Sequence, residues 1–270
     1  MKKAAFTLLI CGIAFLVLLP FLWTMSTSFK SIVDIGLSPP VWFTPTMSLQ
    51  PYFDMFFYMP FGTYTLNSLI VATSATVIAL SVGSLAAFAF SRFHFPGKRF
   101  FLLVFLLSQM LPGSSVIIPL FQFLNAAGLY DTHAGLILVH SAVLLPFVIW
   151  LLYGFFQAIP KEVEDAALID GCSRMEALWK IILPLALPGL GATALFAFLG
   201  SWNEFFFALI LTSSDATKTI PVGIGLFVGE YNDIWNQMAA SAVLFSVPPL
   251  VLFALMRKTF VKGLLAGGVK

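Results

Sequence analysis

Six long apolar stretches dominate the sequence, and each is close to the length that a helix needs to cross about 30 Å of hydrocarbon. With 60% hydrophobic residues, 30 Phe and a mean hydropathy of +0.98, a soluble domain would expose too much apolar surface to stay in solution. The chain is therefore predicted to be an all-α polytopic membrane protein. It is expected to form a single transmembrane domain over residues 1–270, with helices at about 6–28, 66–91, 100–124, 134–157, 185–211 and 239–260.

The distribution of Lys and Arg predicts the orientation, because cytoplasmic loops carry an excess of these residues. Six spans with both termini in the cytoplasm leave only Lys30 and Lys218 of the fourteen cations outside. The first stretch follows two lysines like a signal peptide, but it is long and lacks a small-residue cleavage site, so it is expected to remain as the first span. The loop at 158–184 is then cytoplasmic and the loop at 212–238 lies outside.

Helix-bending residues occur inside several predicted spans. In a membrane, a broken helix needs neighbouring protein or water to satisfy the freed backbone groups. Two interpretations stay open, a packed bundle around a cavity and kinks of purely structural origin. The residues concerned are Pro112-Gly113 and Pro119 in the third span, Pro146 in the fourth and Pro248-Pro249 in the sixth.

The loop at 158–184, here termed the charged segment, carries five acids between Glu162 and Glu176 in a chain with only 10% charged residues. Gly171 is typical of a helix C-terminus, and Ser173 with Glu176 has the spacing of a capping box that starts a second helix. That second helix is predicted to place four apolar side chains on one stripe, namely Met175, Leu178, Trp179 and Ile182.

Two interpretations of this helix–turn–helix are open. The pair either lies on the inner membrane surface with its charges in water, or docks into a groove on a cytoplasmic partner. Small residues at 166, 167 and 171 favour docking, because they permit close backbone approach without adding affinity for lipid.

A spaced motif runs through the charged segment. Asp165-Ala166-Ala167 is followed after three residues by Gly171 and, nine residues later, by Ile181-Ile182-Leu183-Pro184. This pattern resembles the EAA motif of binding-protein-dependent ABC importer permeases, E-A-A-x3-G-x9-I-x-L-P, except that Asp165 stands where Glu is usual and Glu164 precedes it. In that family the loop sits in a cleft of the ATPase subunit. The resemblance implies an ATPase-coupling role, with either Asp165 or Glu164 making the contact, for the set Glu164, Asp165, Ala166, Ala167, Gly171, Ile181, Leu183 and Pro184.

The resemblance extends over nearly the whole chain, to carbohydrate-uptake permeases of the maltose-transporter type and to their MalG-like subunit. It implies a permease subunit of an ATP-driven importer in a prokaryotic inner or plasma membrane, which moves a sugar or sugar-like solute by alternating access. Implied partners are an ABC ATPase dimer that binds ATP-Mg, a second, MalF-like permease subunit and an extracytoplasmic solute-binding protein. The stretches that carry it are Asn67-Ser68, FSRFHFPGKR at 90–99, QMLPG at 109–113, GSWNEF at 200–205 and VKGLLAGGVK at 261–270.

Three polar residues in the predicted spans are candidates for a substrate pathway. Glu204 is an acid placed inside a span, where a carboxylate is costly and marks a pathway or a paired interior site. Asn203 and Glu204 could equally form a structural hydrogen bond across helices. Gln109, just before the Pro112-Gly113 break, is the third candidate, since a sugar site needs hydrogen-bonding groups beside aromatic faces.

The outer loop ends in a polar and aromatic cluster. On residue type alone this is a solvated loop with a Trp at the membrane interface. In the MalG-like family the corresponding loop reaches toward the solute-binding protein, so the resemblance implies a binding-protein contact for Glu230, Tyr231, Asn232 and Trp235.

Other functions find little support in the sequence. Cys11 and Cys172 form no disulfide framework or metal cluster, the three His have no ligand spacing, and no phosphate-binding loop occurs, so ATP is expected on another chain. Neither an enzyme, a bound cofactor nor nucleic-acid binding is predicted. The alternative is a stand-alone secondary carrier, which needs its own ion-coupling charges and usually internal repeats. Glu204 alone gives this alternative little support.

Overall fold

The computed structural model describes residues 2–227 and 234–268, and every regular element in that part of the chain is helical, which confirms the all-α prediction. In chain order the elements are α1 (Lys2–Thr27), α2 (Ile32–Ile35), α3 (Gln50–Tyr58), α4 (Phe61–Arg92), α5 (Lys98–Ser108), α6 (Gly113–Ala126), α7 (His133–Gln157), α8 (Lys161–Ile169), α9 (Arg174–Ala177), a π-helical turn (Leu178–Ile182), α10 (Leu183–Leu185), α11 (Leu187–Trp202), α12 (Phe206–Leu211), α13 (Ile220–Gly225) and α14 (Trp235–Gly268).

Several of these helices meet the length and hydropathy of a membrane span. Four do so alone, in α1, α4, α7 and α14. Two further candidates are bent pairs, α5 with α6 at 96° and Arg174–Leu185 with α11 at 80°, which gives six if each pair crosses as one span. A multi-pass membrane protein with four to six candidate spans is therefore established. The count of six, their boundaries and the single domain stay predictions.

Helix breaks interrupt at least two of the long apolar stretches, those at 100–124 and 185–211. One lies at Pro112-Gly113, as predicted: Pro112 is extended (φ −66°, ψ 136°) and α6 begins at the next residue. Pro119 and Pro146 lie inside α6 and α7 without ending them. The second break, at 203–205 between α11 and α12, was not predicted and divides the stretch at 185–211.

By its internal contacts the chain forms two compact units, of which the first comprises residues 1–65 and 220–248. Within it, the side-chain amide of Asn236 donates to the Lys30 carbonyl (3.2 Å), and the Ser28 hydroxyl lies 2.7 Å from that of Tyr52. The apolar side chains of α1 are exposed over its candidate span, as suits a helix whose neighbours are lipid or another subunit.

The second unit, residues 66–219 and 249–270, contains an apolar core that joins α4, α7, the π-helical turn and α11. Helices α4 and α7 approach closely at Gly83, where an added Cβ would lie 2.6 Å from a Val148 methyl carbon. The charged segment enters this same core. Its buried members are Ala79, Ala87, Phe88, Val148, Leu152, Phe156, Leu178, Ile182, Ala186 and Ala197.

A polar junction in the second unit ties the α6–α7 turn to the loop after α12. Asp131 has a positive φ of 56° and accepts hydrogen bonds from the backbone N–H groups of Ser213 (2.9 Å) and Ser214 (3.2 Å) and from the Thr217 hydroxyl. The side-chain amide of Asn67 donates to the carbonyl of Ala216 (2.9 Å), which belongs to the same loop as Ser213, Ser214 and Thr217. These bonds hold the first part of the 212–238 loop in place.

Candidate functional site

The charged segment folds as two short helices around Gly171, as predicted. Gly171 adopts φ +89°, its N–H donates to the Leu168 carbonyl (3.1 Å), and the N–H of Cys172 donates to the Ala167 carbonyl (3.0 Å). These two bonds form a Schellman motif, which a residue in the left-handed region completes. The predicted capping box of Ser173 and Glu176 starts the second helix.

The predicted stripe on the second helix is only half right. Leu178 and Ile182 are fully buried in the core, whereas Met175 and Trp179 are 52% and 56% exposed. For Trp179 the physical reason is the π-helical turn over Leu178–Ile182, whose wider turn departs from the α-helical spacing on which the prediction depended, whereas Met175 precedes this turn, in α9. Met175 and Trp179 are consequently free to contact lipid or another protein.

Helix α8 has a buried and an exposed face, and Glu164 lies on the first whereas Asp165 lies on the second. Glu164 and Ala167, three residues apart and hence on one side of the helix, are 3% and 4% exposed. Asp165 and Ala166 are exposed, and so is Ile169, at 86%. The exposed side, here termed the α8 outer face, comprises Asp165, Ala166 and Ile169. It combines a carboxylate, a small residue and an apolar side chain.

The Glu164 carboxylate is already paired within the chain. Its Oε2 lies 2.7 Å from Arg92 Nε, both side chains being almost fully buried, and its Oε1 lies 3.5 Å from Arg174 Nη1. Arg92 Nη2 also donates to the Ile159 carbonyl (3.1 Å) at the end of α7. Arg92 was not singled out in the sequence, because nothing local connects the last residue of α4 to the charged segment.

The remaining residues of the predicted coupling set occupy different environments. Gly171 and Pro184 are exposed, whereas Ile181 and Leu183 are half-buried. The buried residue of this stretch is Ile182, the undefined position of the motif. The second half of the motif therefore packs the segment against the core, and the exposed surface lies mainly in its first half.

Gln109 lines a cavity of about 710 Å³ beside the α5–α6 break, together with Ser108, Phe123 and Phe207. Its side-chain amide donates to the Val143 carbonyl in α7 (3.2 Å). The two helix breaks meet here, since an added Cβ on Gly113 would lie 3.2 Å from the Phe207 ring of α12. Broken helices around a cavity are the arrangement in which a membrane tolerates irregular backbone.

Glu204 and Asn203 bond to backbone groups at the second break. Glu204 accepts hydrogen bonds from the N–H groups of Phe207 (2.8 Å) and Ala208 (3.0 Å), so it caps α12, and Asn203 donates to the Leu199 carbonyl of its own helix (2.8 Å). The pathway role of both residues stays a prediction.

Buried His140 of α7 is a partner of Glu204 that the sequence analysis did not single out. Its Nδ1 lies 2.6 Å from the Ser201 hydroxyl, and its Nε2 lies 3.4 Å from Glu204 Oε2 without a hydrogen bond in the described part of the chain. An ionisable residue inside an apolar stretch was the available signal. Among residues 2–227 and 234–268, no group of three or more His, Cys, Asp or Glu is placed to hold a metal ion.

The predicted binding-protein contacts are only partly visible. Glu230, Tyr231 and Asn232 lie outside the described residues. Trp235 begins α14, is 47% exposed and lines a cavity of about 460 Å³ in the first unit. Lys30 lines the same cavity, with its ammonium 4.1 Å from the centre of the Trp23 ring.

Residues 79–265 match the family described as "Binding-protein-dependent transport system inner membrane component". The chain belongs to this family and is a permease component of an ABC importer.

Individual relatives cover nearly the whole chain. The diacetylchitobiose uptake system permease protein DasC of Streptomyces coelicolor is 36% identical over 93% of this chain and 91% of its own length. The trehalose/maltose transport system permease protein MalG of Thermococcus litoralis is 36% identical over 97% of this chain and 96% of its own. The crystal structure of a bacterial ABC transporter involved in import of the acidic polysaccharide alginate aligns with a TM-score of 0.79 over 96% of both chains at 22% identity, which supports the fold.

Proposed function

We propose that this permease translocates a sugar or sugar-like solute, together with a second, MalF-like permease subunit. The observation that carries the substrate class is the similarity to relatives whose names specify diacetylchitobiose and trehalose/maltose, at 36% identity over nearly the full chain. The cavity beside Gln109, with two aromatic side chains and an amide, offers the group types that a sugar requires.

The charged segment is the proposed docking element for an ATPase dimer. In this proposal ATP-Mg binds to the ATPase subunits and not to this chain. The α8 outer face supports this role, because Asp165, Ala166 and Ile169 are exposed while Glu164 is buried and paired. We assign the ATPase contact to Asp165. Exposure of Ile169 next to a carboxylate suits a short helix that enters a groove on another protein.

The orientation follows from the distribution of cations, with both termini and the charged segment in the cytoplasm. Trp235, at the start of α14, then faces the binding protein. ATP-driven movement of the docked segment would tilt the spans and open the pathway outward, and a loaded binding protein would favour the same state of the ATPase by reciprocity. Membership of the importer family favours this mechanism over a stand-alone carrier.

A matched pair of variants tests the docking role. Asp165→Lys reverses the charge on the α8 outer face, whereas Asp165→Glu keeps a carboxylate at the same exposed position. We expect the ATPase to co-purify with the complex that carries Asp165→Glu and to be lost from the complex that carries Asp165→Lys, with both permease subunits still inserted. Equal retention of the ATPase by both variants would exclude Asp165 as the contact.

The substrate class is tested in cells that lack this chain and in cells to which it has been restored. Uptake of radiolabelled maltose, trehalose and N,N′-diacetylchitobiose is measured in both. We expect at least one sugar to require the chain. Uptake of all three that is unchanged by the deletion, with another solute class lost instead, would contradict the sugar assignment.

A further inference from the structure

We infer that Arg92 and Glu164 form a latch that holds the charged segment to the end of α4, so that movement imposed on α8 is transmitted directly to α4. This inference rests on the proposed docking of the α8 outer face onto an ATPase. It assigns to both residues a positioning role in coupling, separate from the ATPase contact itself.

The latch joins elements that are far apart in the sequence. Arg92 is the last residue of α4, and its guanidinium contacts both the Glu164 carboxylate of α8 (2.7 Å) and the Ile159 carbonyl at the end of α7 (3.1 Å). From α9, Arg174 contacts the other Glu164 oxygen at 3.5 Å and places its guanidinium 5.2 Å from the Phe93 ring centre. One buried carboxylate thus connects the ends of α4 and α7 with both helices of the charged segment.

Covalent connectivity cannot make this link. The chain runs from α7 into the charged segment and from there into α11, while α4 is joined to neither. Buried Leu178 and Ile182 also share a core with Ala87 and Phe88 of α4, but apolar contacts are non-directional and permit sliding. Sliding at the latch would separate opposite charges inside the protein, where water screens them little, so the ion pair fixes the register of α8 against α4.

Because both side chains are buried, the pair is expected to fix one arrangement of α8 against α4 more than to add net stability. Arg92 Nε forms no hydrogen bond within the described part of the chain, so its contact with Glu164 is electrostatic. A buried ion pair gains little net stability once its desolvation is included, and its best-attested use is to fix one arrangement. Asp165, on the α8 outer face, directly follows Glu164, so docking and latching act through different sides of one helical turn.

The test uses the complete transporter, with its ATPase, in lipid nanodiscs. The double variant Arg92→Met/Glu164→Leu replaces the latch by apolar side chains, and the charge swap Arg92→Glu/Glu164→Arg restores a pair. The matched control is Lys180→Met, which breaks an exposed ion pair with Glu176 (2.8 Å) lying wholly within the charged segment and keeps Glu176 for the capping box. Spin labels at Leu85→Cys on α4 and Trp179→Cys on the segment, both exposed positions, report the distance between the two elements after Cys11 and Cys172 are changed to Ser.

In the wild type and the control, ATP with vanadate should leave the label-to-label distance distribution unchanged, since α4 and the segment move together. In the apolar double variant the ATPase should still co-purify, but the nucleotide should shift or broaden the distribution, and the charge swap should reverse this. An unchanged distribution in the double variant with the ATPase still bound would overturn the latch alone. Retention of the ATPase by Asp165→Lys would instead overturn the docking proposal on which the latch rests.

Discussion

Glu164 and Asp165 are neighbours in the sequence but lie on different faces of α8, with Glu164 buried against Arg92 and Asp165 exposed. The resemblance to the EAA motif left open which of the two acids contacts an ATPase. Their environments favour Asp165 for this contact, since the Glu164 carboxylate is 3% exposed, is held by two guanidinium groups and is not available to another chain.

The first prediction concerns the stability of the two acids. Glu164→Ala leaves the Arg92 guanidinium buried without its counter-charge, so we expect it to lower the free energy of unfolding by about 3–5 kcal/mol. Asp165→Ala removes an exposed side chain and should leave stability nearly unchanged. Thermal unfolding of the purified chain in detergent measures both, and a Glu164→Ala protein as stable as Asp165→Ala would contradict the burial of this pair.

A second prediction concerns the turn at Gly171. An Ala at this position would meet no atom within 4 Å, so any cost comes from its φ of +89° alone. We expect Gly171→Ala to lower the free energy of unfolding by about 1–2 kcal/mol, and Gly171→Asn by less, since Asn tolerates left-handed backbone better.

The control for Gly171 is Gly154 in α7, which has equally open space and helical backbone. There Ala should instead stabilise the protein by about 0.5–1 kcal/mol. Chemical denaturation of the two Ala variants should therefore shift in opposite directions. Shifts of the same sign would show that backbone conformation does not decide the effect.

The third prediction is a pH dependence at the Asp131 junction. Burial by itself raises the pKa of the Asp131 carboxyl, but hydrogen bonds from Thr217, Ser213 and Ser214 together outweigh it, so the pKa lies below its ordinary value. A carboxyl with a depressed pKa stabilises the folded state fully above its unfolded pKa of about 3.9 and loses this contribution as the pH falls toward its folded pKa.

Asp131→Asn isolates this contribution. We expect the wild type to exceed Asp131→Asn in thermal stability by a constant margin between about pH 5 and 8, and the margin to shrink as the pH falls below about 4. Unfolding curves of both proteins across this range provide the measurement. A margin that grew on acidification would reverse the sign and contradict the hydrogen-bonded, ionised carboxylate.

Local features of the charged segment could be predicted because short-range chemistry determines them. The Schellman turn requires the φ of Gly171, and the capping box requires only Ser173 and Glu176. The Arg92–Glu164 pair could not be predicted, since it depends on how α4 packs against α8. The π-helical turn could not be predicted for a related reason. Burial of Leu178 and Ile182 in the core depends on tertiary packing, and it overrides the regular α-helical period.

The helix breaks also differ in whether local sequence determines them. Pro112-Gly113 marks a break that sequence chemistry explains, since proline prevents a continuous backbone ladder. The break at 203–205 has no proline, and its polar capping group is Glu204, whose sequence context predicts only a pathway role or a hydrogen bond across helices. The first N–H groups of α12 lack an acceptor within the helix because the helix starts anew at Phe206, and the sequence does not show this restart.

The last prediction separates the structural role of Glu204 from a role in the pathway. Glu204→Ala removes the acceptor for the N–H groups of Phe207 and Ala208, and loss of such a cap costs about 0.5–2 kcal/mol. Glu204→Gln keeps an acceptor for one of these two N–H groups and should retain part of that stability. If capping is its whole function, Glu204→Gln should also support solute uptake at the wild-type rate in reconstituted vesicles. A Glu204→Gln protein that folds and inserts but fails to transport would instead place Glu204 in the pathway, because a partly retained cap does not explain a loss of uptake.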